Sequence, residues 1–211
     1  KQGEIIVKGD AVFHGYYKNP EETEKVLKDG WFHTSDAGYI DKEGHLIFLD
    51  RLGDLLELAD GKKFAPQYTE SRLKFSPYVK EVMVLGGKDK GFVSALVNID
   101  FDNVGNWAEK NHITYTTFVD LSQKTEVYNL ILRVVEKVNK TLPEVARIRR
   151  FANLHKAFDS DAAGLTRTRK LRREFMESRY KEVIDGIYGG REEVPIEAPV
   201  KYRDGRTRVI K

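Results

Sequence analysis

Cysteine is absent from all 211 residues. That absence excludes a disulfide framework, a thiolate nucleophile and cysteine-ligated zinc, and it fits a reducing compartment. Long apolar runs are missing as well, since no stretch approaches the run of about 18 apolar residues that a membrane-spanning helix requires. Histidine is scarce: His14, His33, His45, His112 and His155 form no i, i+4 pair and no ligand-spaced cluster, so no protein-bound metal is expected. An excess of one charge is lacking too. With 36 Lys and Arg against 33 Asp and Glu, the net charge of +3 is too small to imply a nucleic-acid partner. The opening residues, Lys1-Gln2-Gly3-Glu4, carry no initiator methionine, signal peptide or transit pattern. The chain is therefore expected to begin inside a longer polypeptide.

What is present is enough apolar material, 40% of residues, to bury a core in one large or two small domains. The first fifty residues read as β structure with turns. Residues 4–8 alternate loosely, and residues 38–40 and 45–49 flank the turn Asp41-Lys42-Glu43-Gly44 as a hairpin. Asn19-Pro20-Glu21-Glu22 supplies an N-cap, a first-turn proline and first-turn acids, which predicts a short helix to about Leu27. A second hairpin is expected around Asp60-Gly61, followed by a helix that Pro66 opens and that runs to about Phe75.

Residues 79–85 and 92–99, rich in β-branched side chains, predict two further antiparallel strands. A helix over 102–110 follows. Val127, Leu130, Ile131, Val134, Val135 and Val138 fall at helical spacing and form a core-facing stripe that ends before Pro143. Residues 147–154 suggest a strand, and residues 170–187 a final helix with Met176, Tyr180, Val183, Ile184 and Ile187 inward. Residues 189–211, with the Asp204-Gly205 turn, read as a loosely organised extension. Hairpin connections predominate, so the expected fold is α+β, an antiparallel sheet with flanking helices, and not a doubly wound parallel sheet. The expected division is residues 1–50, 51–188 and 189–211. Its main boundary lies at residues 49–53, where Gly53 beside charged Asp50 and Arg51 has the backbone freedom a hinge needs.

The segment Asp29-Gly30-Trp31-Phe32-His33-Thr34-Ser35-Asp36 is expected to hold Asp36 on a tight turn between two short strands. A carboxylate held there is suited to a pair of vicinal hydroxyls. The basic run Arg147-Ile148-Arg149-Arg150 invites a nucleic-acid reading, but its flanks read as a strand with a solvated face and no interleaved stacking aromatics, so no nucleic-acid partner is expected.

Taken in order, several blocks carry a resemblance. Gly3-Glu4-Ile5-Ile6-Val7-Lys8-Gly9 comes first, then Gly15-Tyr16-Tyr17-Lys18-Asn19-Pro20-Glu21-Glu22-Thr23. Gly30-Trp31-Phe32-His33-Thr34-Ser35-Asp36 and Asp50-Arg51 follow. The series resembles the C-terminal third of the adenylate-forming enzymes, and residues 165–173, Leu-Thr-Arg-Thr-Arg-Lys-Leu-Arg-Arg, are similar to a stretch of the long-chain fatty acyl-CoA synthetases.

The resemblance implies roles residue by residue. Asp36 would accept hydrogen bonds from both ribose hydroxyls of ATP, and Arg51 would contact the nucleotide. Lys170 would enter the active site and neutralise charge between the substrate carboxylate and the α-phosphate as pyrophosphate departs. Asp50 and Gly53 would form the hinge of a rotating domain, and the loop with Gly61, Lys62 and Lys63 would help line the path of CoA. ATP with Mg²⁺, a fatty acid and CoA are the implied substrates, in a cytoplasmic enzyme with peripheral access to membranes, whose long-chain substrates reside in bilayers.

Three departures stand out: Ser35 replaces a common glycine, Gly53 a common Asp or Lys, and Arg167 a common proline. A Ser/Thr/Gly-rich phosphate loop ending in Lys-Gly is missing, so the chain is expected to need an N-terminal domain and to be inactive alone. Delivery of the acyl group to a carrier protein, or a non-enzymatic interaction module on the same fold, are the alternative readings.

Overall fold

The computed structural model describes residues 2–156, 173–195, 198–201 and 207–210. Its first sheet is built on one long strand, β3 (Trp31–Ile40). β1 (Gln2–Val7) lies antiparallel along one edge of β3. The other edge is shared by β2 (Leu27–Lys28) near the start of β3 and β4 (Leu46–Arg51) near its end. Between β1 and β2, α1 (Pro20–Val26) begins as its sequence dictates: Asn19 Oδ1 accepts the Glu22 amide at 3.2 Å, and Pro20 occupies a position where a missing N–H costs nothing.

Asp36 does not sit on a turn between two short strands. It lies within the ten-residue β3, at a bulge where Glu4 pairs with Ala37 but Ile6 already pairs with His33. Extra residues on one strand bend it and re-aim its side chains. Local propensity at Thr34 and Ser35 is turn-like, and the bulge is where the strand accommodates it.

A 3₁₀ turn (Leu52–Asp54) leads to a small hairpin of β5 (Leu56–Glu57) and β6 (Lys63–Phe64), and then to α2 (Pro66–Lys74). The second main sheet comprises β7 (Val79–Leu85), β8 (Val93–Ile99) and β9 (Ile148–Asn153) in that order. β7 and β8 are antiparallel, but β9 runs parallel to β8, so this sheet is mixed and not purely antiparallel. A parallel pair needs a crossover, supplied here by α3 (Phe101–Lys110), α4 (Phe118–Ser122) and α5 (Thr125–Asn139). The α+β class holds. The short α4, N-capped by Thr117, is additional to the sequence expectation.

Alternation along the strands assigns residues to two cores. Val82 and Val84 of β7, with Val93, Ala95, Val97 and Ile99 of β8, pack with Leu73 of α2, Val104 of α3 and Val127 and Ile131 of α5. Met83, Leu85 and Leu96 face the other way, toward Met176, Tyr180, Val183, Ile184 and Ile187. Each fully buried aliphatic side chain contributes about 1.5–3 kcal/mol of hydrophobic stabilisation. The expected inward positions of the last helix are thus correct, yet the helix is two: α6 (Arg173–Arg179) and α7 (Lys181–Tyr188). They join at Tyr180, whose φ of −105° and ψ of 23° leave the helical region. Both halves keep one apolar stripe, so periodicity does not reveal the break. The C-terminal extension contains a paired hairpin, β10 (Ala198–Lys201) with β11 (Thr207–Ile210); its expected Asp204-Gly205 turn lies outside the described residues.

Candidate functional site

The bulge around Asp36 is held by Glu4. Glu4 Oε1 accepts the Ser35 amide at 3.1 Å, and Glu4 Oε2 lies 2.9 Å from His33 Nδ1. An ionised carboxylate only accepts, so Nδ1 carries the proton. The His33 hydrogen bond holds the Glu4 carboxyl below its ordinary value, aided by the Ser35 amide and opposed by partial burial. Thr34 completes the frame: its hydroxyl donates to Ile5 O at 2.7 Å and accepts the Asp36 amide at 3.0 Å. Ser35 adopts φ 59°, the left-handed region that glycine occupies freely and other residues resist. The departure from glycine at this position therefore falls where glycine's freedom is useful.

Asp36 and Arg51 are direct cross-strand partners on β3 and β4. Arg51 Nε stands 3.0 Å from Asp36 Oδ1, while Arg51 Nη1 donates to Thr34 O at 3.3 Å. The ion pair is close, but Nε–H is not aimed along it, and Oδ1 is buried without a hydrogen-bond donor among the described residues. Asp36 keeps 27% of its side-chain surface exposed, and Arg51 keeps 64%. A carboxylate and a guanidinium thus lie side by side across β3 and β4, both partly exposed, with acceptor capacity left over. Gly38, two residues on, is hemmed in, since a Cβ there would meet Ile47 O at 2.8 Å.

Asp50, next to Arg51, is 1% exposed. Oδ1 accepts the Arg51 amide at 2.9 Å, and Oδ2 accepts the Gln67 amide at 3.2 Å, capping the start of α2 from a distant strand. Burial raises its carboxyl above the ordinary value, although both amides and the Arg173 charge oppose the shift. Gly53 occupies the 3₁₀ turn with φ outside the left-handed region, and a Cβ would touch nothing within 4 Å. This conformation itself does not call for glycine.

Gly61, with φ 77°, closes the β5–β6 hairpin, its amide donating to Leu58 O at 2.9 Å. Lys62 Nζ pairs with Asp60 Oδ2 at 2.8 Å and Lys63 is exposed. Lys170 lies outside the described residues, as does Arg167, so Asp36, Arg51 and Asp50 are the expected site residues brought together here. The residues that hold them, Glu4, His33 and Gln67, were not singled out by sequence. Their partners lie 17 to 31 positions away along the chain, and no local spacing announces such pairings.

At the β3–β4 turn, Asp41, Glu43 and His45 bring ligand atoms within 4.8 Å of one another. Asp41 Oδ1 already accepts the amides of Glu43 and His45 at 2.9 and 2.8 Å, which accounts for the grouping as a turn.

A profile of the AMP-binding enzyme C-terminal domain matches residues 53–192. A long-chain-fatty-acid–CoA ligase of Mycobacterium tuberculosis is 32% identical over 187 residues, covering 88% of this chain and 31% of the relative. Human long-chain-fatty-acid–CoA ligase 1 is 32% identical, covering 89% and 27%. This chain spans under a third of the length of either relative. Among solved structures, the adenylation domain of a carboxylate reductase from Mycobacterium chelonae superimposes with a TM-score of 0.59 at 27% identity, over 89% of this chain and 28% of that one. Apo MatB from Rhodopseudomonas palustris shares the fold, with a TM-score of 0.58 at 24% identity over 87% and 31%. With the profile match extending over most of its length, the chain belongs to the AMP-binding enzyme C-terminal domain family.

Proposed function

We propose that this chain is the C-terminal portion of an ATP-dependent long-chain fatty acid–CoA ligase. A carboxylate oxygen of the acid attacks the α-phosphorus of ATP as the bond to pyrophosphate breaks. The CoA thiol then attacks the acyl carbon, loses its proton and expels AMP. The observation that carries this reading is the Asp36–Arg51 pair, an acceptor and a permanent cation facing each other across β3 and β4. The acceptor suits ribose hydroxyls and the cation suits phosphate oxygens. The names of the relatives support the fatty-acid branch.

In this reading Lys170 neutralises the developing charge of adenylation, and Mg²⁺ arrives with ATP as part of the substrate. Residues 51–188 rotate as a unit about Asp50 and Gly53, presenting Lys170 in the first step and the loop of Gly61, Lys62 and Lys63 in the second. The open surroundings of Gly53 suit a pivot. The phosphate loop and the acyl tunnel come from an N-terminal domain, without which the 211 residues release no pyrophosphate. The setting is the cytoplasm, with acyl substrates taken from membrane surfaces.

The test uses the full-length protein with palmitate, ATP, Mg²⁺ and CoA. Asp36→Ala is expected to raise KM for ATP at least tenfold, and Lys170→Ala to abolish pyrophosphate release while ATP still binds. Wild-type kinetics in both variants would sink the assignment. Replacing CoA with a holo carrier protein separates ligase from carrier loading.

A further inference from the structure

Gly86 lies at the start of the turn that joins β7 to β8, and its φ is outside the left-handed region, so its conformation does not call for glycine. The space around it does. A Cβ there would stand 2.6 Å from both Cε1 and Cζ of Phe64 and 3.3 Å from Leu58 Cδ2. Carbon atoms in contact keep about 3.5–4.0 Å apart, so the Phe64 ring would have to retreat by roughly 1 Å. Phe64 and Leu58 are buried in the larger core, whose close packing leaves the ring little room to do so.

These two side chains are the inner supports of the β5–β6 hairpin. Leu58 O accepts the Gly61 amide at 2.9 Å, the Leu58 amide donates to Lys62 O at 2.9 Å, and Phe64 directly follows Lys63. The turn after β7 also holds the hairpin through the backbone, since the Ala59 amide donates to Lys90 O at 3.0 Å. Lys90 is itself fixed. Its amide donates to Gly87 O at 2.8 Å, and its Nζ lies 4.6 Å from the centre of the Tyr188 ring, within cation–π range. Tyr188 Oη donates to Phe92 O at 3.2 Å, which ties this support to the end of α7 and the approach to β8.

We propose that Gly86 is a positioning residue for the loop of Gly61, Lys62 and Lys63: its missing side chain lets Phe64 seat the hairpin on the β7–β8 turn in the shape that admits CoA. This rests on the role given to that loop under the proposed function. The hairpin and its seat both lie within residues 51–188, so the seat travels with the loop when that unit turns. Neither Gly86 nor Phe64 touches Asp36 or Arg51, and a disturbance at Gly86 therefore reaches the thioester step before it reaches adenylation. A misplacement of about 1 Å can slow a reaction about a hundredfold, so the displacement of Phe64 is large enough to be read kinetically.

The test separates the half-reactions in the full-length protein. A single turnover of pyrophosphate release is followed with palmitate, ATP and Mg²⁺, and thioester formation with supplied palmitoyl-adenylate and CoA. Gly86→Ala is expected to lower kcat/KM for CoA at least tenfold, with pyrophosphate release changed less than threefold. Phe64→Leu, which removes the ring that the new methyl group meets, should bring Gly86→Ala back to within threefold of wild type. A merely structural role would depress both half-reactions together, and that result would overturn the proposal. So would a failure of Phe64→Leu to restore thioester formation, or wild-type thioester formation by Gly86→Ala where Gly61→Val has lost it. Wild-type thioester formation by Gly61→Val, whose φ of 77° resists a branched side chain, would instead remove the role given to the loop, and the proposal with it. If Gly86→Ala does not fold, Lys90→Met decides, because it leaves Gly86 and Phe64 in place and frees the turn only from Tyr188. A loss of at least threefold in thioester formation alone is then expected, and wild-type thioester formation or an equal loss in both half-reactions would count against the proposal.

Discussion

Glu4 and His33 are joined across β1 and β3 by a 2.9 Å hydrogen bond, with both side chains less than a third exposed. The second Glu4 oxygen takes the Ser35 amide, so a single carboxylate fixes the bulge that presents Asp36. Because this contact lowers the Glu4 carboxyl from an ordinary value of 4.5, its stabilisation is fully present above that value and is lost as pH falls through the folded-state value. Glu4→Gln is therefore expected to be less stable than wild type at pH 7, by on the order of 1 kcal/mol. The gap should narrow as pH drops below about 4.5. Denaturant melts at pH 7, 5 and 3.5 check both points, and a gap that widens in acid would contradict the assignment.

Ser35 holds φ 59° within a strand, a conformation that costs an L-residue roughly 1 kcal/mol and glycine little. Ser35→Gly is expected to raise stability by roughly 0.5–1 kcal/mol, since the amide bond to Glu4 is retained and only the strained side chain is lost. Ser35→Val should lower it by more. Melting temperatures of the two variants, compared in one buffer, give the sign directly.

Gly38 needs its missing side chain for a different reason. A methyl group there would meet Ile47 O at 2.8 Å and Ile5 Cδ1 at 2.9 Å. Ile5 can turn aside, but the backbone carbonyl cannot move without disturbing the β3–β4 ladder. Gly38→Ala should cost about 1–3 kcal/mol and, by shifting β4, move Arg51 relative to Asp36. Unfolding measurements that find the variant as stable as wild type would show that the sheet can open at that point.

What was legible in the sequence follows from the range of the interactions involved. α1 was readable because Asn19, Pro20 and the first-turn acids act within one turn of the residues they stabilise. The stripe of α5 and the inward set of the last helices were readable because burial repeats at helical spacing. The bulge was not: Thr34 and Ser35 signal a turn locally, and only Glu4 and Ile5 on another strand convert that signal into a kink within β3. The direction of β9 was equally hidden, since exposed Arg149 and Arg150 deprive it of the continuous apolar run that marks a parallel strand buried on both faces. Asp36 and Arg51 could each be singled out by their place in a motif. Their juxtaposition depends on the β3–β4 register, which the bulge between Ala37 and Gly38 shifts.

Asp50 offers the sharpest separation of charge from hydrogen bonding. Its two oxygens satisfy two amides, those of Arg51 and Gln67, in a site that is 1% exposed. Asp50→Ala leaves the strand amide of Arg51 and the helix-start amide of Gln67 without their acceptors. At about 1–3 kcal/mol for each of the two buried donors left unpaired, a total loss of roughly 2–6 kcal/mol is expected. Asp50→Asn keeps one acceptor and turns an NH₂ group toward the other amide, so it should fall between wild type and Asp50→Ala. The charge itself works in the opposite sense. Burial raises the folded-state carboxyl above 3.8, so the ionisation-linked contribution is fully present below 3.8 and is lost as pH rises through the folded-state value. The deficit of Asp50→Ala relative to wild type should therefore be larger near pH 4 than at pH 7. A deficit that grows steadily toward neutral pH would mean that attraction to Arg173 and to the start of α2 outweighs the cost of burying the carboxylate.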